Sequence, residues 1–320
     1  MRVLVTGGAG FIGAGLVERL IMEGHEVDVI DDLSTGALAN LAGARARAGD
    51  RFSFHRLDIR SPDVVALVAK REAEVVFHLA AQADVRRSID DPAFDAGVNV
   101  VGSLHVLEGA RRAGARKVVF AGSGGTLYGA PADLPTPETH DRRPLSPYGV
   151  AKKAVGDYLH YYEAIHGLEH TVLALANVYG PRQDPFGEAG VVASFARRLL
   201  DGHPVTIYGD GHQTRDFVYV DDVVDAFARA KEPGAAPGLV LNVGTGAETS
   251  VNDLYAVMAR LAAAETEPVR APARTGELIR SALDPRLAGA ELGWKPSTAL
   301  EEGLSATLDW FRARPPAGKS

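Results

Sequence analysis

Val3-Leu4-Val5-Thr6-Gly7-Gly8-Ala9-Gly10-Phe11-Ile12-Gly13 is an apolar run that breaks into a glycine loop. The β-branched start reads as a buried parallel strand. Beyond the glycines, Leu16, Val17, Leu20 and Ile21 recur at helical spacing. Strand, glycine loop and helix in this order place phosphate groups at a helix N-terminus. Gly7 serves the turn, Gly10 lets backbone approach a pyrophosphate, and Gly13 permits close helix packing. The spacing differs by one residue from the usual dinucleotide fingerprint.

The next strand refines this. Glu26-Val27-Asp28-Val29-Ile30 ends at Asp31-Asp32. An acid at this point hydrogen-bonds both ribose hydroxyls of an adenosine and repels a 2′-phosphate, and no arginine follows immediately. The expected cofactor is therefore NAD, not NADP. Leu33-Ser34-Thr35-Gly36 adds polar contacts. Phe52-Ser53-Phe54-His55 reads as a third strand leading to Leu57-Asp58-Ile59, with Asp58 near the adenine edge. Val75-Val76-Phe77-His78 is a fourth, ending in Leu79-Ala80-Ala81-Gln82, small residues that suit close approach of a cofactor. His78 reads as a packed core histidine. Asn99 and His105 fall on a helix running to about Gly114. Lys117–Ala121 is a fifth strand, opening into the loop Gly122–Gly129 with its hydroxyls Ser123 and Thr126. Strands alternating with helices predict an α/β fold, a doubly wound parallel (Rossmann) sheet.

A proline-rich loop, Pro131 to Pro147, precedes Tyr148-Gly149-Val150-Ala151-Lys152. Four residues apart on a helix, Tyr148 and Lys152 share one face. The ammonium charge favours phenolate, drawing a phenol from its ordinary pKa of about 10 toward general-base duty.

The chain has 320 residues, 46% of them hydrophobic, enough for one large or two smaller domains. A net charge of −7 gives nucleic acid or an anionic membrane nothing to recognise. With no cysteine there is no disulfide or thiolate chemistry, and no metal site is expected. Met1-Arg2 leads straight into a strand without a signal-type segment, and no apolar run is long enough to span a bilayer. The sequence thus predicts a cytoplasmic protein.

With these motifs placed, the sequence resembles the extended short-chain dehydrogenase/reductase family, and within it the nucleotide-sugar 4-epimerases. The resemblance covers nearly the whole chain. It includes the glycine loop, Asp31-Asp32, Asp58, the Ser123–Gly129 loop and the Tyr148/Lys152 pair. In the second half it includes Leu175–Arg182, Ile207-Tyr208-Gly209-Asp210-Gly211 and Thr214–Asp222. It implies NAD-dependent 4-epimerisation of a UDP-hexose through a transient 4-keto sugar. The implied cofactor set is Gly7, Gly10, Phe11, Ile12, Gly13, Asp31, Asp32, Ser34, Gly36, Asp58, Ile59, Leu79, Ala80, Ala81, Gln82, Asn99, Ser123, Tyr148 and Lys152. Tyr148, Lys152, Thr126 and Ser123 form the implied catalytic set.

For the substrate, the resemblance implies Thr126, Asn177, Val192, Tyr208, Arg215, Arg274 and Ser281. Asn177, Arg215 and Arg274, the last in Arg274-Thr275-Gly276-Glu277, would hold the pyrophosphate, where guanidinium forks suit phosphate oxygens. Tyr208 would sit by the base, with plain strand packing as the alternative. The family's usual Ser or Thr partner of the tyrosine falls at Gly124; Thr126 is the expected substitute, with Ser123 nearer the cofactor. Ser281, where a tyrosine would restrict the pocket to plain hexoses, leaves room for an N-acetyl group. The acids that mark 4,6-dehydratases and decarboxylases are missing at Gly125-Thr126, and Asp184 argues against a uronate 4-epimerase. A non-catalytic NAD-binding sensor would need neither Tyr148/Lys152 nor the arginines. The expected division is 1–174 plus roughly 216–245 for NAD, 175–215 plus roughly 246–312 for the nucleotide sugar, and a tail at 313–320. The resemblance also implies a homodimer through helices at about Gly97–Ala113 and Gly149–His166.

Overall fold

The computed structural model describes residues 1–131, 133–186, 190–274 and 278–314. The expected tail from 315 onward, Thr275-Gly276-Glu277 and part of the Gln183–Gly190 loop lie outside the described residues.

Seven parallel strands form the central sheet: β1 (Arg2–Thr6), β2 (Glu26–Asp31), β3 (Phe52–Arg56), β4 (Val75–His78), β5 (Lys117–Ser123), β6 (Glu169–Leu175) and, after an excursion, β11 (Leu239–Val243). Their order is β11-β6-β5-β4-β1-β2-β3, the doubly wound arrangement. Side chains alternate between faces, so Val3 and Val5 join one buried core while Leu4 joins the other. The first core is closed by the helix Phe11–Met22, through Leu16, Val17 and Leu20, and by Val223, Val224 and Phe227 of the helix Val220–Ala230. The second takes Val106 and Leu107 of Ser103–Ala113 and Val155 and Leu159 of Pro147–His166. Each such buried aliphatic side chain contributes roughly 1.5–3 kcal/mol.

The excursion carries β7 (Asn177–Tyr179), β8 (Thr206–Tyr208), β9 (Thr214–Arg215) and β10 (Phe217–Tyr219). β7 pairs with β10 in parallel. A third core gathers here, with Phe195 and Leu199 from Val191–Leu200, Leu254 and Met258 from Val251–Ala262, and Leu308 from Leu300–Arg312.

Several local expectations change. Glu169–Leu175 is a full strand of the sheet. β5 runs on through Ser123, and the expected loop at Gly124–Leu127 is a single helical turn. The helix carrying Asn99 is continuous from Pro92 to Ala113 but passes through a π-helical stretch at Gly97–Gly102. Trp294 is buried, its indole donating to the Asp222 carbonyl at 2.8 Å, whereas Trp310 is only half-buried on the flank of the third core.

Candidate active site

The carboxyl ends of β3, β2, β1, β4 and β5 are neighbours in the sheet, so the residues that follow them meet along one edge. Gly7 takes φ +70°, and a Cβ there would meet the Ala80 amide nitrogen at 2.7 Å. Gly13 is tighter still: a Cβ would stand 2.1 Å from the Gly7 carbonyl oxygen. Both glycines are therefore fixed by contacts within the protein. At Gly10 a Cβ would meet only the Gly7 oxygen, at 3.2 Å, so this face of the loop is open. Gly10 is also the N-cap of the first helix and supplies no side-chain cap, which leaves that helix end for an anion. Phe11 and Ile12 begin the helix and are half-buried.

Asp31, 6% exposed, accepts from the amides of Ala9 (2.9 Å) and Leu33 (2.8 Å). Burial raises its pKa, and those two amides pull it back. Asp32 accepts from the Ser34 amide, and Gly36 lies so close that a Cβ would come within 3.0 Å of Asp31 Oδ1. At the end of β3, Asp58 is gripped by Arg60, with 2.9 Å between Nε and Oδ2, which holds its carboxyl below the usual range. The buried side chain of Ile59 packs against Gly102. Leu79, Ala80 and Ala81 line the end of β4, and Gln82 pairs reciprocally with Asn99: each backbone–side-chain bond is 2.9 Å. His78 is fully buried between Thr6 Oγ1 (2.7 Å) and Ser103 Oγ (2.8 Å), as a core histidine should be. An open glycine cradle, a buried acid at the end of β2 and no basic side chain immediately following it fit NAD.

Tyr148 and Lys152 begin the helix Pro147–His166, capped by Ser146 donating no charge but accepting from the Gly149 amide at 3.1 Å. Ser88 further anchors the start by accepting from the Tyr148 amide. Lys152 Nζ lies 5.6 Å from the Tyr148 ring centroid, 4.6 Å from that of Phe120, and donates to the Ala121 carbonyl at 2.8 Å. Burial dominates and pushes Tyr148 up to about 12, with Ser123 favouring the phenolate and Asp95 opposing it. Burial likewise brings Lys152 down to about 8, with Asp95 opposing the fall.

Both expected hydroxyls, Ser123 and Thr126, stand in one cavity with Tyr148. β5 extends through Ser123, whose hydroxyl favours the phenolate of Tyr148, whereas Thr126 turns its hydroxyl back to the Ser123 carbonyl at 3.4 Å. Gly124 has a physical reason as well. A Cβ there would lie 2.3 Å from Leu283 Cδ1 and 3.2 Å from the Ala174 oxygen, so the place of the usual hydroxyl is filled by Leu283.

A cavity of about 400 Å³ connects these groups to the second half of the chain. Ser123, Thr126 and Tyr148 line it together with Asn177, Arg215, Arg274 and Ser281. Tyr208 stands at its margin, with the Arg274 guanidinium stacked 3.8 Å from the ring centroid. Val192 does not line the cavity. It is 1% exposed and packs into the third core, because the apolar face of its helix turns inward. The sequence reading passed over Arg86, which also lines the cavity, and Asp95; neither belongs to a recognisable motif. Among the described residues no cluster of acids or histidines suits a metal ion, and no helix is long and apolar enough to cross a membrane.

Dinucleotide cradle, buried tyrosine–lysine pair and an arginine-lined cavity together define a nucleotide-dependent enzyme of the Rossmann class. Residues 3–244 match the model of the NAD dependent epimerase/dehydratase family, and the chain belongs to that family. It is 51% identical to a UDP-glucose 4-epimerase of Mycolicibacterium smegmatis, over 98% of this chain and 99% of that one. A UDP-glucose 4-epimerase of Thermotoga maritima, solved with UDP-glucose, superposes with a TM-score of 0.93 at 45% identity, covering 98% and 99% of the two chains. A Thermus thermophilus UDP-glucose 4-epimerase in complex with NAD gives 0.89 at 42% identity, covering 98% and 100%.

Proposed function

We propose that the protein is an NAD-dependent isomerase that inverts C4 of a UDP-hexose, interconverting UDP-glucose and UDP-galactose. The observation that carries this reading is one cavity with Tyr148 and Ser123 at one end and Asn177, Arg215 and Arg274 on its wall. NAD, when bound, supplies reversible hydride exchange with C4. Gly7, Gly10, Gly13 and the first helix would hold its pyrophosphate, Asp31 its adenosine ribose, and Lys152 its nicotinamide ribose. Tyr148 removes the proton from the sugar 4-hydroxyl and later returns it, assisted by Ser123. The arginines grip the pyrophosphate throughout, so the 4-keto sugar turns over without leaving. In this reading residues 1–174 with 216–245 serve the cofactor, and 175–215 with 246–312 serve the nucleotide sugar.

Incubation of purified protein with UDP-glucose, without added NAD, should produce galacto anomeric signals in the proton NMR spectrum. A 4-keto-6-deoxy or pentose product, or no reaction despite retained NAD, would overturn the assignment. Replacing Ser123 by Ala should lower kcat by on the order of 10²-fold, while Thr126→Val changes it less than about threefold. The reverse ranking would return the proton-sharing role to Thr126.

The pocket extends this reading to UDP-GlcNAc. Ser281 is a small side chain on the cavity wall, and Ser281→Tyr should reduce kcat/KM for UDP-GlcNAc by on the order of 10²-fold while largely sparing UDP-glucose. Equal loss for both substrates would refute that. A homodimer is also part of this proposal. Val101, Val150, Tyr158, Tyr161 and Ile165 are exposed on the two helical segments expected to pair. Light scattering that returns only the 33.8 kDa chain would exclude it. A cytoplasmic setting suits a chain without cysteine and with a net charge of −7.

A further inference from the structure

Arg215 and Ser281 line the cavity from two different segments, and one carboxylate outside the cavity ties those segments together. Glu248 precedes β12 (Thr249–Ser250), which pairs antiparallel with β9, Thr249 opposite Arg215 and Ser250 opposite Thr214. Its Oε2 accepts from the Thr214 hydroxyl. It also takes the Arg280 guanidinium as a fork: Nε donates to Oε2 at 2.8 Å and Nη2 donates to Oε1. Thr214 is the residue before Arg215, and Arg280 is the residue before Ser281. The two segments also meet through backbone, the Thr214 amide donating to the Ile279 carbonyl at 2.9 Å.

The segment from Ile279 to Asp284 forms neither a helix nor a sheet strand, so its course depends on such tethers. Beyond Ser281 they lie inside the protein. The Thr136 amide donates to the Ala282 carbonyl at 2.9 Å, and the Leu283 amide donates to Asp216 Oδ2 at 3.2 Å. Asp216 is buried and also accepts from the Thr245 and Gly246 amides. Ahead of Ser281 the side-chain tether is Glu248 with Arg280, 23% and 58% exposed. A single-point ion pair at such exposure contributes little, but a fork that also accepts a hydroxyl fixes direction as well as distance. Arg280 holds the Glu248 carboxyl below the usual carboxylate range, so the fork is intact at neutral pH. Neither Glu248 nor Arg280 lines the cavity, so their effect on a substrate passes through their neighbours.

We propose that Glu248 is a positioning residue for the nucleotide sugar: by holding Thr214 and Arg280 together it sets the separation of Arg215 and Ser281 on the cavity wall. This rests on the epimerase reading above. The glycine cradle and Tyr148 belong to other elements, so cofactor binding and proton transfer stand outside this tether. Loss of the tether therefore loosens the hold on the nucleotide sugar and leaves turnover of bound substrate largely intact.

In full-length protein carrying its NAD, Glu248→Ala should raise KM for UDP-glucose on the order of tenfold, with kcat within about threefold of wild type. The Kd for UDP, read by calorimetry, should rise roughly fivefold or more, because Arg215 moves with Thr214. Arg280→Met cuts the fork from its exposed side, and adding it to Glu248→Ala should cost little more than Glu248→Ala alone. A loss of kcat with KM and UDP affinity unmoved would mean that Glu248 only supports the fold. Fully additive losses would mean that the two residues do not act through one fork. Either result would overturn the proposal. If Glu248→Ala does not fold, Arg280→Met gives the same readout, and an unchanged KM there is decisive against it. Wild-type protein that binds UDP without epimerising UDP-glucose would count against the function, while the shift in UDP affinity would still judge Glu248.

Discussion

Tyr148→Phe should lower kcat by roughly 10³–10⁴-fold while the protein keeps its NAD and its fold. The substitution removes one oxygen from a ring that is otherwise buried, so the helix start, with its Ser146 cap and its anchor on Ser88, is untouched. What is lost is the base. The phenol stands high, at about 12, because burial outweighs the help of Ser123. Wild-type turnover should therefore rise with pH until the phenolate is populated, and the small residual rate of the variant should lack that limb. Ser123 acts through the same oxygen, so Ser123→Ala added to Tyr148→Phe should cause little further loss. A residual kcat within tenfold of wild type would remove Tyr148 from the chemistry.

Gly13→Ala should be the most damaging single methyl group in the chain. Its Cβ would stand 2.1 Å from the Gly7 oxygen and 2.8 Å from Gly8 Cα, both backbone atoms. Neither can yield, since Gly7 is itself pressed against Ala80. Overpacking of this kind destabilises by roughly 1–3 kcal/mol or more, and it deforms the loop that would cradle the pyrophosphate. NAD released on denaturation should fall at least about tenfold per chain, with a lower Tm. Gly156→Ala is the matched control: it lies mid-helix with nothing within 4 Å of its Cβ and should stabilise by up to about 1 kcal/mol. Full NAD content and an unchanged Tm in Gly13→Ala would contradict this account.

Much of the first half was legible because each signal there is local. Val3–Gly13 contains its own strand, turn and helix start, and Asp31 ends the next strand. Tyr148 and Lys152 were legible because helical spacing alone puts them on one face. Other features depend on residues far apart in sequence. Nothing near Gly124 announces that Leu283 fills its side-chain space, and nothing near Ser123 shows that the strand continues through it. Val192 sits on a strongly amphipathic helix, but periodicity says which residues share a face, not which neighbour that face meets. Asp95 reads as a solvated helix acid until the packing of two helices buries it.

The last strand of the sheet has a consequence for how such a protein can be altered or inherited. β6 is left unpaired on one side until Leu239–Val243 arrives, and between them the chain has built β7 to β10. A fragment ending at residue 174 would expose the backbone of β6 as a sticky edge, open to pairing with another copy. Recombination that exchanges the excursion between β6 and β11 must therefore join at two seams at once, one at each of these neighbouring strands. Such an architecture is accordingly easier to alter by point substitution than by shuffling modules.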